Sequence, residues 1–250
     1  MLPKTILITG ASSGIGAALA AACASQGRTL WLWGRDSQRL NATAERCRAL
    51  GAQVETECFD LRDMETLISR LSAGDDRLQI DLAIFNAGLG GMVPADQLSE
   101  DARAAQAMAD VNFTAPVVSA SLLADRMARR GGGQIVLIGS IADSFPLPMA
   151  PVYSGAKAGL AMFAEALGLR MKKHGITVTL VSPAFVDTPM SRSVTAPKPF
   201  LLSAEAAAAI IKSKIERRAT NVVLPWQFAV IRTVSRFLPR AVTRAVLRRI

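Results

Sequence analysis

Seven short β-branched or aliphatic runs, separated by longer stretches of helical periodicity, constrain this chain more than any other feature. The runs are TILIT (5–9), TLWLW (29–33), QVETEC (53–58), LAIFN (82–86), QIVLIG (134–139), TVTLVS (177–182) and NVVL (221–224). Helical patterns fall near 14–26, 37–50, 63–72, 99–129, 153–173 and 204–217. Strands that alternate with helices must be joined by crossovers, which gives a parallel sheet with helices on both faces. No Pro/Ser-rich linker divides the 250 residues. The pattern therefore predicts one α/β domain over residues 1–225 and a helical extension over 226–250. With half of the residues apolar and only 5% aromatic, the core is expected to be aliphatic.

The segment ITGASSGIGA sets Gly10, Gly14 and Gly16 between the first strand and a small-residue helix, with Ser12, Ser13 and Ile15 between them. Glycines at such a turn let the backbone approach a pyrophosphate, and the helix N-terminus supplies free N–H groups and a favourable dipole. Close helix packing is the competing explanation for the same glycines. A dinucleotide held there brings its ribose to the end of the second strand, where a cation welcomes a 2′-phosphate and an acid a 2′-hydroxyl. WLWGRDSQRL offers Arg35 and Arg39, which favours NADP(H) over NAD(H). Asp36 either opposes that phosphate or caps the next helix.

PVYSGAKAG holds the chain's single tyrosine, Tyr153, in a sequence with 9 Phe and 3 Trp, and Lys157 follows one helical turn later. Positions i and i+4 share a helix face, so the ammonium can stabilise a phenolate. An ordinary phenol titrates near ~10, too high for an efficient base at neutral pH, and a neighbouring cation is expected to lower it. Ser140, thirteen residues earlier, follows a strand at the edge where open α/β sheets bind ligands. It is either a hydroxyl donor to a substrate oxygen or a turn residue. Asn112 precedes Pro116 by four residues; proline has no N–H for the Asn112 carbonyl, which marks either a free acceptor or an ordinary kink.

Together TGASSGIG (9–16), FNAG (85–88), Asn112 in VNFTAP, Ser140 in IGSIA, YSGAK and SPAFVDTP (182–189) resemble the classical short-chain dehydrogenase/reductase family over roughly residues 4–224. The resemblance implies a Rossmann-type doubly wound sheet of order 3-2-1-4-5-6-7. It implies that Tyr153 exchanges a proton with the substrate oxygen, that Lys157 holds the nicotinamide ribose, and that the Asn112 carbonyl binds a water leading to that lysine. Asn86, Ala87 and Gly88 would lie against the cofactor, Asp60 and Leu61 against its adenine, and Pro183, Val186 and Thr188 against its nicotinamide end. Phe85 replaces an Asn frequent before NAG, and Ala184 stands where Gly is frequent after Pro183. A homodimer or homotetramer built through the helices near 99–129 and 153–173 is also implied.

Cys23, Cys47 and Cys58 show no metal-binding spacing and His174 is the only histidine, which argues against a metal site or a Cys/His pair. No secretory pattern opens the chain and no uninterrupted apolar run is long enough to span a bilayer, which leads to the expectation of a cytoplasmic protein. Of the net charge of +9, six arginines lie between Asn221 and Ile250 with no acid among them, leaving +3 for the remainder. On a helical wheel Trp226, Val230, Ile231, Val234, Phe237 and Leu238 oppose Arg232, Ser235 and Arg236. After Pro239 the residues Val242, Val246, Leu247 and Ile250 oppose Arg240, Arg244 and Arg248. Such a basic amphipathic pair suits peripheral contact with an anionic membrane, or packing on its own domain or a second subunit. No nucleic-acid module accompanies it. The function expected is NADP(H)-dependent interconversion of a hydrophobic carbonyl and its alcohol; the competing reading is a non-catalytic dinucleotide sensor or scaffold acting through the tail.

Overall fold

The structure is a computed structural model that describes residues 3–94, 96–193, 197–235 and 237. Its strands are β1 (Thr5–Thr9), β2 (Thr29–Gly34), β3 (Gln53–Cys58), β4 (Leu82–Phe85), β5 (Gly133–Ile138), β6 (Ile176–Pro183), β7 (Val186–Asp187), β8 (Leu202–Ser203) and β9 (Asn221–Leu224). Seven of them form one parallel sheet of order β3-β2-β1-β4-β5-β6-β9. This is the expected Rossmann-type order. The seventh place falls to β9 because β7 and β8 pair only with each other.

The two sheet faces carry separate apolar layers. Ile6, Ile8, Leu30, Leu32 and Ile84 face helices α1 (Gly14–Cys23), α2 (Ser37–Ala49) and α8 (Ala204–Glu216). Leu7, Trp31, Trp33, Ala83 and Leu137 face α3 (Met64–Leu78), α5 (Ala115–Arg129) and α6 (Pro151–Met171). The period-2 pleat of TLWLW thus sends leucines one way and tryptophans the other. The core is less purely aliphatic than the composition suggests: Trp31 and Trp33 are fully buried, edge to face at 4.8 Å between centroids, and Phe59 continues the stack at 4.9 Å.

Two helix boundaries differ from the sequence pattern for physical reasons. Helix α3 runs on to Leu78, through Gly74, because that glycine packs directly on the Trp31 ring. The single helix expected over 99–129 is instead α4 (Ala102–Ala109), a π-helical turn at Asp110–Thr114, and α5. Pro116 cannot donate to Asn112, and the widened turn accommodates that missing bond. The stretch Ala102–Arg129 is long and apolar enough to cross a membrane by length and composition, but it is not an uninterrupted apolar run, since Arg103, Asp110, Asp125 and Arg126 fall within it, and α5 is a core helix. Short α7 (Pro189–Arg192) and α9 (Trp226–Ser235) complete the described helices.

Candidate active site

The carboxyl ends of β1, β4, β5 and β6 share one edge of the sheet, and nearly every singled-out residue collects there. Gly10 and Gly14 adopt left-handed backbone at φ +67° and +54°, which only glycine takes without strain. Asn86 latches this turn: its Nδ2 donates to the carbonyls of Thr9 and Gly10, each at 3.2 Å. Thr9 Oγ1 accepts from the Asn86 and Ala87 amides at 3.1 Å. A Cβ on Gly10 would meet Ala87 Cα at 2.7 Å, so β4 presses against the turn. Ser13 precedes α1 in extended backbone without capping it through its side chain, Ser12 packs over Gly34, and Ile15 packs against the core. The result is a bare-backbone cradle at a helix N-terminus, which fits a dinucleotide pyrophosphate.

At the end of β2, Asp36 caps α2 by accepting from the Arg39 amide at 2.9 Å, and Arg39 Nε returns a bond at 2.8 Å. The Arg39 amide holds the Asp36 carboxyl below the usual carboxylate range. Both side chains are exposed, so the pair leaves the Arg39 fork partly free. Asp60 is clasped by Arg62 through Nε and Nη2, which likewise lowers its carboxyl. Leu61 packs against the tryptophan side of the core.

Asn112 is fully buried in the π-helical turn. Its side chain reads the backbone of Leu89 twice, Oδ1 accepting from the amide and Nδ2 donating to the carbonyl, each at 2.8 Å. A Cβ on Gly88 would stand 3.0 Å from Asn112 Oδ1 and 3.9 Å from Lys157 Nζ, so the Asn86–Gly88 strand end, Asn112 and Lys157 converge on one point.

Ser140 follows β5 and its Oγ accepts from the Ala142 amide at 3.2 Å, leaving the hydroxyl proton free to donate. Lys157 is buried and donates one N–H to the Ile138 carbonyl at 2.9 Å, which leaves two. Burial brings its ammonium down to about 8, against the pull of Asp143. Burial pushes the Tyr153 phenol up; the Ser140 hydroxyl opposes the rise and Asp143 adds to it. The lowering expected from Lys157 is therefore not realised here. Its Nζ is turned to Ile138 and lies over the ring face, 5.8 Å from the centroid, rather than at the hydroxyl.

Val186 is buried in β7, directly after Pro183 ends β6. Thr188 caps α7 by accepting from Ser191, and its methyl stands 3.0 Å from where a Gly14 Cβ would be. The loop after β6 thus closes on the glycine turn. Sequence reasoning missed Asp143, which is buried beside Ser140, and Ser182, which donates to it. The only signal was position, one turn beyond Ser140.

Helix α9 does not lay its apolar face on its own domain, one of the alternatives the sequence leaves open. Trp226, Val230, Ile231, Val234 and Phe237 are exposed, whereas the Arg232 side chain is 14% exposed and reaches toward Asp143. The partner that turns Arg232 inward is a buried acid, which a helical wheel cannot show. Leu238 and the second half of the proposed pair, after Pro239, lie outside the described residues, as does Arg236.

The model for the short chain dehydrogenase family matches residues 4–199. The chain belongs to the short-chain dehydrogenase/reductase family. It is similar to an uncharacterised oxidoreductase of Myxococcus xanthus, 31% identical over 99% of this chain and 97% of that one. Among solved structures, a short-chain dehydrogenase from Sphingobium yanoikuyae in complex with NADPH superposes with TM-score 0.82 at 28% identity, over 96% of this chain and 98% of that one. A bulky-bulky ketone specific alcohol dehydrogenase from Comamonas testosteroni gives TM-score 0.79 at 27% identity, over 96% of each chain. The chain is an oxidoreductase of this family.

Proposed function

We propose that the chain is an NADPH-dependent reductase of hydrophobic ketones or aldehydes, able to run in reverse on the alcohol. The observation that carries this reading is the convergence of Ser140, Tyr153 and Lys157 on the sheet edge that also holds the glycine cradle. The nicotinamide, when bound, supplies the hydride. Ser140 donates its free O–H to the substrate carbonyl and fixes it beside Tyr153. Tyr153 delivers its phenolic proton to that oxygen as negative charge builds on it. A phenol held up by burial stays protonated at neutral pH, which suits the reducing direction. Lys157 spends one donor on Ile138, and its other two would hold the nicotinamide ribose. Asn112 keeps the strand end at Leu89 in place. Pro183, Val186 and Thr188 would hold the nicotinamide end, and Asp60 and Leu61 would border the adenine.

Arg35 and Arg39 support NADPH, and so does the NADPH of the Sphingobium relative. The hydrophobic substrate is supported by a mostly apolar cleft of about 550 Å³, lined by Phe145, Leu147, Pro148 and Ala158 with Asp143 and Ser154 among its polar residues, and by the ketone specificity of the Comamonas relative. The division into a catalytic unit 1–225 and an extension 226–250 is part of this reading. So are a cytoplasmic location and a dimer or tetramer through the helices of 99–129 and 153–173, the second of which exposes Met162 and Leu169.

The test is NADPH oxidation across aldehydes, ketones, steroids and long-chain keto compounds. Tyr153→Phe should lower kcat roughly 10²- to 10⁴-fold with NADPH binding retained. Wild-type activity in that variant defeats the reading, and equal affinity for NADPH and NADH defeats the cofactor preference.

A further inference from the structure

Three residues beyond Ser140 the loop after β5 buries a carboxylate that the proposed chemistry does not use. The Asp143 side chain has 0% exposure. Its Oδ1 accepts from Ser144 Oγ at 2.6 Å, and its Oδ2 accepts from the hydroxyl of Ser182 on β6. Hydroxyls solvate a carboxylate but do not neutralise it, and a buried acid without a counter-charge is costly. From α9, Arg232 Nη1 stands 4.0 Å from Asp143 Oδ1. That nitrogen is buried and has no hydrogen-bond partner among the described residues, so its link to Asp143 is charge alone.

The charged and titratable groups around Asp143 among the described residues come from two elements. Helix α6 packs against the Ile141–Asp143 turn and presents Tyr153 and Lys157. Lys157 Nζ is held at the Ile138 carbonyl, next to Gly139, where a Cβ would stand 3.7 Å from Asp143 Oδ2, and both groups sense the carboxylate's charge. Helix α9 presents Arg232. Strand β6 presents only the Ser182 hydroxyl, and its own loop those of Ser140 and Ser144.

We propose that Asp143 is a positioning residue for the Tyr153–Lys157 pair: its carboxylate favours the cationic form of Lys157, and Arg232 offsets part of the same charge where it opposes Tyr153 ionisation. The consequence is that the docking of α9 sets the proton affinity of the active-site phenol. The inference rests on the reading of Tyr153 as proton donor for its functional meaning, but the charge coupling has a readout of its own.

That readout exists because the chain has one tyrosine. In full-length protein labelled with 3-fluorotyrosine, a single ¹⁹F resonance titrates residue 153 alone. Asp143→Asn, nearly isosteric, removes a negative neighbour and should move the midpoint to lower pH, raising the phenolate fraction at a fixed alkaline pH about threefold. Arg232→Gln exposes the phenol to the full Asp143 charge and should move it the other way by a similar factor. Arg232→Lys should leave it near wild type. The alkaline limb of kcat/KM for NADPH-dependent reduction should follow the same directions. An unchanged midpoint in both Asp143→Asn and Arg232→Gln overturns the proposal. Should Asp143→Asn fail to fold, Arg232→Gln decides alone. If the midpoints shift while Tyr153→Phe remains fully active, the coupling stands and the catalytic reading of Tyr153 falls.

Discussion

A methyl group on Gly16 would stand 2.2 Å from the Gly10 carbonyl oxygen and 2.5 Å from Asn86 Nδ2. The third glycine of the turn is thus fixed by the β1 turn and the β4 latch together, and not by helix packing alone. Gly16→Ala must push the turn outward. Overpacking of this kind costs roughly 1–3 kcal/mol, and if the displaced turn carries that cost into binding, NADPH affinity should fall about 10- to 100-fold. Fluorescence titration with NADPH checks this, and wild-type affinity would show that the cradle is not where the dinucleotide sits.

Asn86 is expected to matter for stability before chemistry. Its Nδ2 donates to the carbonyls of Thr9 and Gly10 and ties the end of β4 to the turn after β1. Asn86→Ala should cost about 1–3 kcal/mol, read as a fall in Tm of roughly 2–4 °C per kcal/mol for a chain of this size. Asn86→Asp should cost more, because it sets an acceptor against two acceptors. Thermal unfolding of the three proteins gives the order.

Lys157 links the site to a pH-dependent stability. Burial takes its ammonium from 10.5 to about 8 in the folded protein. Between those values the unfolded chain binds more protons than the native one, so stability rises with pH across that window. Below it both states are protonated and the folded state bears the full desolvation cost, roughly 3 kcal/mol at 1.36 kcal/mol per unit. Lys157→Met removes this cost along with the bond to Ile138. Its stability relative to wild type should therefore be highest below pH 8 and decline toward pH 10.5, while reductase activity is lost. Denaturant midpoints at pH 7, 9 and 10 check the slope, and a relative stability that rises with pH would contradict it.

The parallel sheet and the placing of Gly10, Asn86, Ser140, Tyr153 and Lys157 were legible because each depends on local sequence: a strand, the residue that ends it, and a helix with i, i+4 spacing; the order of the strands came from the family resemblance. Contacts distant in sequence were not legible. The Asp143–Ser182 bond joins residues 39 apart, and the Arg232–Asp143 pair joins α9 to the loop after β5. That pair turns Arg232 inward, so of the alternatives for 226–235 the apolar face packed on its own domain is the one the structure does not have. The direction of the Tyr153 shift was missed for a related reason: spacing put the ammonium on the right helix face but could not show it engaged by the Ile138 carbonyl.

Gly74 illustrates the same limit and gives a test in which two local rules conflict. In an exposed helix interior, Gly→Ala gains about 1 kcal/mol from propensity. Here a Cβ would meet Trp31 Cη2 at 2.0 Å, and Trp31 is 1% exposed within the sheet, so neither α3 nor β2 has room to move aside. Overpacking at roughly 1–3 kcal/mol outweighs the propensity gain, and Gly74→Ala should lower the denaturant midpoint. Trp31→Phe shortens the ring on that side and opens a cavity of its own, yet it should relieve the clash. In the Trp31→Phe background Gly74→Ala should be neutral or stabilising, giving a coupling energy above ~1 kcal/mol in a double-mutant cycle. Additive effects would mean that the glycine is held open by something other than the indole.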